Sequence, residues 1–484
     1  MLGSWGLYLN TKTKVLGIVA QGRQKCVYVD KDIAINVNGD EVAAIDSEES
    51  WKYLGAEFNS HGLVSPTIDL AGMLSKLGNC SLKTQQKIYL LRVHLIPRLI
   101  HVFTMMRLSV KALQTADRLI REFVLRILQL RKDVPKAFLY AAVKHGGMGL
   151  MQLRVSIPAI IARRFGRMTS SSAPAIALAA SLECNVNRLL KAERLIKEMT
   201  IAEVAGDEKD IKCANTKSIQ VVHSYTLYSK RDGGALREAG LVPYVHTWIS
   251  DGTLNMRPKI YRDALRVRTG SLPTLHRTPE RWPLEGRSTQ CETLWCRLGC
   301  HAEETNHHVL QNCEHVQGMR IVRHNRVLQM LYSALLKKGY FVLKEELIPG
   351  KGGRDFKPDL IMCKNGLTAT VCDVQIVGGG RGYENLADRH HEKRRKYNKK
   401  LVRKHLEGLF LGCTKLKFTS LTISDRGIMC YESAQSLLKL GLSKKTLRDL
   451  VVASLEGSVR IFQTFSARCQ QRNSRREGLT EVES

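Results

Sequence analysis

Residues 357–377 read KPDLIMCKNGLTATVCDVQIV, two strand-like runs on either side of Lys364-Asn365-Gly366-Leu367. Asn-Gly between apolar runs is a strong hairpin signal, so strands are expected near 357–363 and 367–377. Register decides what this hairpin can do. A strict two-residue loop at Asn365-Gly366 pairs Asp359 with Cys372 and puts Asp359 and Asp373 on opposite faces. A three-residue loop or a bulge pairs the two aspartates directly, roughly 5 Å apart on one face. Metal chemistry needs the second register, and that is the one expected. Two carboxylates on one face can hold Mg²⁺, which polarises a phosphate oxygen and lowers the pKa of a bound water. Gln375 shares that face, where a lysine would be the obvious charge stabiliser.

A helix expected over about 384–408 supplies one. Leu386, His390, Lys393, Tyr397 and Leu401 recur at spacings of four, three, four and four, forming one inward stripe. Lys393 on that stripe can balance charge developing on a phosphorane. Arg394, Arg395, Lys396, Lys399 and Lys400 spread around the outside, where they can grip a nucleic-acid backbone without reading sequence. Glu345 or Glu346, at the end of an earlier strand, is a candidate further acidic ligand.

Just upstream, Cys296-x3-Cys300-x7-His308-x4-Cys313 has the makings of a tetrahedral thiolate and imidazole site for Zn²⁺. His301, His307 and His315 are rival nitrogen donors, and Cys291 a rival sulfur. Metal binding would be folding free energy for such a module.

The remaining chain frames these sites. Its 484 residues have room for about three domains. With 75 Lys+Arg against 45 Asp+Glu the formal charge is +30, a self-repulsion that a polyanion would relieve. The longest uncharged apolar run, Ala173 to Leu182, falls short of the roughly 20 residues of a membrane span. No membrane partner is therefore expected. Thirteen scattered cysteines without an export signal fit a reducing compartment. Short strands and an Asn38-Gly39 hairpin are expected before Gly55, and helical periodicity from Ser65 to Met168, with Pro97 kinking or ending one helix. Weaker helix follows, with a flexible boundary near 205–235, then a helix from Tyr261 stopped by Gly270. A helix is expected from Val316 to Lys338, a strand near 415–423, and a helix over about 433–468. The tail from Gln470 should be disordered.

Read together, GLYLNTKTK, WKYLG, QQKIYLLRVHLIPRLIHVF, KHGGMGL, ALRVRTGSLPT, ETNHHVLQNC, GMRIVRHNRV, KPDLI, DVQIV and HEKRRKY resemble, in order, the C-terminal half of non-long-terminal-repeat (LINE-like) retrotransposon proteins. The resemblance is to the kind that carries a restriction-enzyme-like endonuclease. It implies a multidomain α+β chain: a reverse-transcriptase palm remnant (1–62), a helical thumb (63–168), a helical linker (169–290), a CCHC zinc knuckle (291–315), an α/β endonuclease lobe with a mixed sheet (316–469) and a tail (470–484). It implies Asp359, Asp373 and Lys393 as catalytic positions with Tyr397 beside them, and Cys296, Cys300, His308 and Cys313 as zinc ligands. Arg266, Arg268 and Arg277 are the candidate nucleic-acid contacts of the linker. The implied activity is Mg²⁺-dependent nicking of nuclear target DNA to prime reverse transcription of the element RNA. The polymerase Asp-Asp motif of the family does not occur in this sequence, so a truncated or partial product without polymerase activity is expected. The competing reading is an inactive nucleic-acid-binding relic.

Overall fold

The structure, a computed structural model, describes residues 14–23, 26–33, 35–37, 40–53, 56–59, 62–63, 68–105, 109–203, 216–277, 294–350, 355–364, 366–378 and 385–480. Seven short strands come first: β1 (Gly17–Gln21), β2 (Cys26–Asp30), β3 (Ile35–Val37), β4 (Asp40–Val42), β5 (Trp51–Tyr53), β6 (Ala56–Asn59) and β7 (Gly62–Leu63). They form three small antiparallel sheets. Val37 pairs with Asp40, the register of a two-residue hairpin over Asn38-Gly39, residues that themselves lie outside the described ones.

Helices follow: α1 (Leu70–Asn79), α2 (Thr84–Leu90), α3 (Ile96–Met105), α4 (Val110–Leu128), α5 (Lys136–Tyr140), α6 (Leu153–Thr169), α7 (Pro174–Ser181), α8 (Glu183–Glu203), α9 (Thr216–Ser229) and α10 (Pro258–Thr269). Pro97 neither ends nor breaks its helix, because a π turn at Leu91–Leu95 absorbs the missing N–H and ring clash just before it. The joined stretch Thr84–Met105 is, by length and composition alone, long and apolar enough to cross a membrane, although Lys87, Arg92 and Arg98 keep any uncharged run within it short. Its Ile88, Leu91, Ile96, Leu99 and Phe103 are buried in the main core against Leu113 and Ile120. Asp117 of α4 caps α6, its two oxygens accepting from the Leu153 and Arg154 amides at 2.7 and 2.9 Å. Of the boundary expected near 205–235, residues 204–215 lie outside the described ones and Thr216–Ser229 is helix.

The C-terminal lobe comprises α11 (Gln317–Leu336), β8 (Phe341–Lys344), β9 (Leu360–Lys364), β10 (Thr368–Val377), α12 (Leu386–Tyr397), α13 (Lys400–Leu409), β11 (Lys415–Ser424), α14 (Tyr431–Lys439) and α15 (Lys444–Thr480). Its strands form a mixed sheet in the order β11-β10-β9-β8, with β10 and β11 parallel and the other pairs antiparallel. Alternation divides the sheet. Ile361, Val371 and Phe418 pack with Val402 and Leu406 of α13, while Leu360, Met362, Cys372, Val374 and Leu421 join the core shared with α11 and α15.

Three expected elements differ. The basic helix is two helices parted at Asn398-Lys399, and the C-terminal helix is two, parted at Gly441 with φ +82°. The supposed tail continues α15 to Thr480; Arg472 donates to the Arg297 carbonyl at 3.1 Å, fastening its polar end. One hydrophobic core also runs from Leu70 to Cys469, so the helical region, the cysteine cluster and the α/β lobe share a single interior.

Three buried histidines give this interior an acid-sensitive character. Burial pushes His223, its ring tilted against Tyr140, down to about 4. Burial and then Arg394 push His390 to about 4, and burial with Arg268 lowers His246. The unfolded chain protonates its histidines near pH 6.5, before the folded one does, so stability should fall as pH drops from about 6.5 toward 4. Melting temperatures across that range should show the decline, and His223→Phe should flatten it.

Candidate metal and acidic centres

The cysteine cluster begins in a tight turn. The Gly299 amide donates to the Cys296 carbonyl, and Gly299 adopts φ +97° with Arg472 packed where a Cβ would stand. A π turn at His308–Asn312 then carries His308 to Cys313, whose amide donates to the His308 carbonyl. One ligand atom each of Cys296, Cys300, His308 and Cys313 lies within 4.8 Å of the others. His301, His307 and His315 are exposed and outside this group, and Cys291 lies outside the described residues.

Charge asks for a cation here. A hydrogen bond from Cys313 pulls Cys296 down to about 4; that same hydrogen bond and then burial push Cys313 up, and burial and then the Cys296 thiolate push Cys300 up. The buried Nε2 of His308 has no hydrogen-bond partner. Three thiols and an orphaned imidazole fit a metal such as zinc. Buried Glu304 braces the module by accepting from Arg297 Nη2 at 2.7 Å and from the Leu275 and Arg297 amides. Arg297 in turn lies over the Phe465 ring of α15.

The second centre follows from the register. Lys364 pairs with Thr368 and Leu360 with Cys372, leaving three residues in the loop, with Gly366 at φ +68°. One step further sets Asp359 opposite Asp373, so the one-face register holds. Pro358 explains why β9 stops there. It stands opposite Val374, and without an N–H it cannot donate to the Val374 carbonyl. Both freed groups of Val374 are taken by side chains: its amide donates to Asp359 Oδ2 at 2.6 Å, and His324 Nε2 lies 3.1 Å from its carbonyl.

Asp373 is almost fully enclosed. Tyr397 donates to its Oδ1 at 2.8 Å, and Lys393 Nζ lies 2.7 Å from Oδ2. That Oδ2 takes no aligned hydrogen bond although it is buried. Lys393 is 29% exposed, so it reaches inward from the expected stripe and still meets solvent. Leu386, His390 and Tyr397 are buried beside it. Burial, then the Asp373 charge, pushes the Tyr397 hydroxyl well above its ordinary value, keeping it a donor. Gln375 is pinned by donating to the Arg389 carbonyl and to Thr422 Oγ1.

Sequence reasoning missed His324. Its Nε2 is 3.4 Å from Asp359 Oδ2, its Nδ1 3.2 Å from Asn325 Oδ1, and its pKa is raised to about 9, first by the hydrogen bond to Asp359. The available signal was Pro358, whose missing N–H at the end of the ladder leaves the Val374 carbonyl to a donor from another element.

The outer cations Arg394, Arg395, Lys396, Lys399 and Lys400 are exposed as expected. The linker arginines are not free. Arg268 is fully buried, donating to the Gly146, Arg426 and Gly427 carbonyls and contacting His246 Nδ1. It joins the helical region to the α/β lobe and cannot meet a ligand. Arg266 is held by Asp263 and the Gln129 carbonyl, and Arg277 by Asp133 and Asp232. Glu345 faces Lys357 at 2.6 Å rather than the aspartates.

No family model matches the chain. Comparison with curated proteins places it among the Pol polyproteins of retrotransposable elements. It is 32% identical over 466 residues, 95% of its length, to the Retrovirus-related Pol polyprotein from type-2 retrotransposable element R2DM of Drosophila melanogaster, covering 42% of that protein. It is 28% identical over 466 residues to the type-1 retrotransposable element R2 polyprotein of Nasonia vitripennis, again covering 42% of it. A Popillia japonica R2 polyprotein is 28% identical over 462 residues, with 90% of its length covered. The chain belongs to the R2-type non-long-terminal-repeat retrotransposon Pol proteins and corresponds to a C-terminal part of such a polyprotein. It spans less than half the length of the Drosophila and Nasonia relatives.

Proposed function

We propose that this chain is the DNA-cutting portion of its retrotransposon protein, a metal-dependent endonuclease that nicks nuclear target DNA to prime reverse transcription of the element RNA. The observation that carries this is the juxtaposition of Asp373 and Lys393 at 2.7 Å on the face Asp373 shares with Asp359. Asp359 and Asp373 would hold Mg²⁺, with the buried Oδ2 of Asp373 shared between the ion and the Lys393 ammonium. The ion would polarise the scissile phosphate and activate a water. Lys393 places a positive charge where negative charge gathers in the transition state. Tyr397 fixes the Asp373 carboxylate, and the Cys3His cluster takes structural Zn²⁺.

The exposed face of α12 and the start of α13 would clamp the phosphate backbone. Charge reversal at Arg394, Lys396 and Lys400 should weaken DNA binding alike for all sequences. It should also flatten the salt dependence, by about one unit of slope for each phosphate no longer neutralised. Binding measured from low to moderate salt checks this.

One observation favours a second reading, a binding relic without cutting: each aspartate has a cationic partner of its own, His324 for Asp359 and Lys393 for Asp373. Incubating supercoiled plasmid with the chain in Mg²⁺ or Ca²⁺ separates the readings. Open circles in Mg²⁺ alone support the endonuclease, and bound but intact plasmid in both supports the relic.

A further inference from the structure

We propose that His324 is a positioning residue of the acidic centre, fixing the Asp359 carboxylate in the orientation that receives the divalent cation. The inference rests on the endonuclease reading above.

It begins with the gap that Pro358 leaves in the ladder. A carboxylate at a strand end is ordinarily free to rotate, and a metal site built on one pays that entropy on binding. Asp359 is not free. Its Oδ2 accepts from the Val374 amide at 2.6 Å and lies 3.4 Å from His324 Nε2. The same imidazole nitrogen is 3.1 Å from the Val374 carbonyl, so His324 and Asp359 together close the interrupted ladder. Both Asp359 contacts fall on one oxygen, and among the described residues Oδ1 has no partner. Asp373 is fastened on both sides, with Oδ1 accepting from Tyr397 and Oδ2 ion-paired with Lys393 at 2.7 Å. Asp359 thus has one anchored oxygen and one that can turn toward a cation.

The imidazole is itself held. Nδ1 lies 3.2 Å from Asn325 Oδ1. Next to it in α11, buried Arg323 donates to Ser458 of α15 at 3.0 Å and to Gln311 at 2.9 Å. Gln311 belongs to the turn that carries His308 toward Cys313. The helix that bears His324 is therefore tied to the Cys3His module on one side and to the acidic centre on the other. Partners that orient metal ligands change metal affinity or activity by about 10–100-fold when removed.

The test uses the full chain with its Cys3His site loaded with Zn²⁺. Mn²⁺ binding is measured by calorimetry, and the Mg²⁺ dependence of plasmid nicking by gel, for wild type, His324→Ala, His324→Gln and Asp373→Ala. The expected result for His324→Ala is a roughly 10–100-fold rise in the Mn²⁺ dissociation constant and in half-saturating Mg²⁺, with nicking largely restored at high Mg²⁺. His324→Gln retains an Nε2 donor for Val374 and Asp359, and should recover part of the affinity. A lower melting temperature with unchanged metal affinity in both His324 variants would overturn the inference and mark the residue as purely structural. If Asp373→Ala abolishes nicking in that case, the endonuclease reading stands without the inference. If Asp373→Ala changes neither metal binding nor nicking, the reading beneath it fails.

Discussion

Chelating the metal of the Cys3His cluster, or replacing Cys313 with serine, is expected to unfold the middle of the chain and not merely a surface loop. Cys296, Cys313, Leu298, Val309, Leu310 and Val316 are part of the core that also holds Leu331 and Phe465. Without a cation, three crowded thiols must keep most of their protons and His308 Nε2 stays buried without a partner. Structural zinc is worth about 10–16 kcal/mol in small modules. Here a loss of even about 5 kcal/mol should lower the melting temperature by on the order of 10 °C. Calorimetry before and after chelation checks this, with recovery on Zn²⁺ addition; an unchanged transition would show that the cluster holds no structural metal.

Replacing Lys393 with methionine should have two effects that can be read separately. Asp373, 5% exposed, loses the only ion pair it has among the described residues, and removing one partner of such a pair costs about 3–5 kcal/mol. The second effect is catalytic: nicking under saturating Mg²⁺ should drop roughly 10²–10³-fold, the scale of losing one preorganised charge stabiliser. Lys393→Arg keeps the charge and should restore stability more fully than rate, since the planar guanidinium differs in reach and shape. A methionine variant that nicks at the wild-type rate would remove Lys393 from the chemistry.

Much of this site was legible because its geometry is local. The Asn-Gly pair marks the hairpin, and the need of two carboxylates for one face selects the three-residue loop that the strands adopt, with Lys364 opposite Thr368. The three-four stripe through Leu386, His390 and Tyr397 turns Lys393 inward. The cysteine cluster was legible for the same reason, its four ligands falling within eighteen residues. What escaped depends on contacts between distant segments. Nothing near Arg268 reveals that three carbonyls from Gly146, Arg426 and Gly427 converge on it, so a cation in a basic motif looked like a nucleic-acid contact. His324 reaches Asp359 only because α11 packs beside the sheet. The break at Asn398-Lys399 divides a helix whose basic composition suggested one continuous rod, and Arg472 extends α15 by bonding to a carbonyl 175 residues away.

If Asp359, Asp373 and Lys393 form a cutting centre, losing one of the aspartates stops the cut. The most direct measurement is the rate of open-circle formation from supercoiled plasmid by the zinc-loaded chain in Mg²⁺, wild type beside Asp373→Ala, with DNA binding measured in parallel. The expected result for such a centre is nicking by the wild type and a loss of roughly 10³-fold or more in the variant, with DNA binding retained. Equal nicking by both proteins, or none by either while both bind DNA, would contradict it.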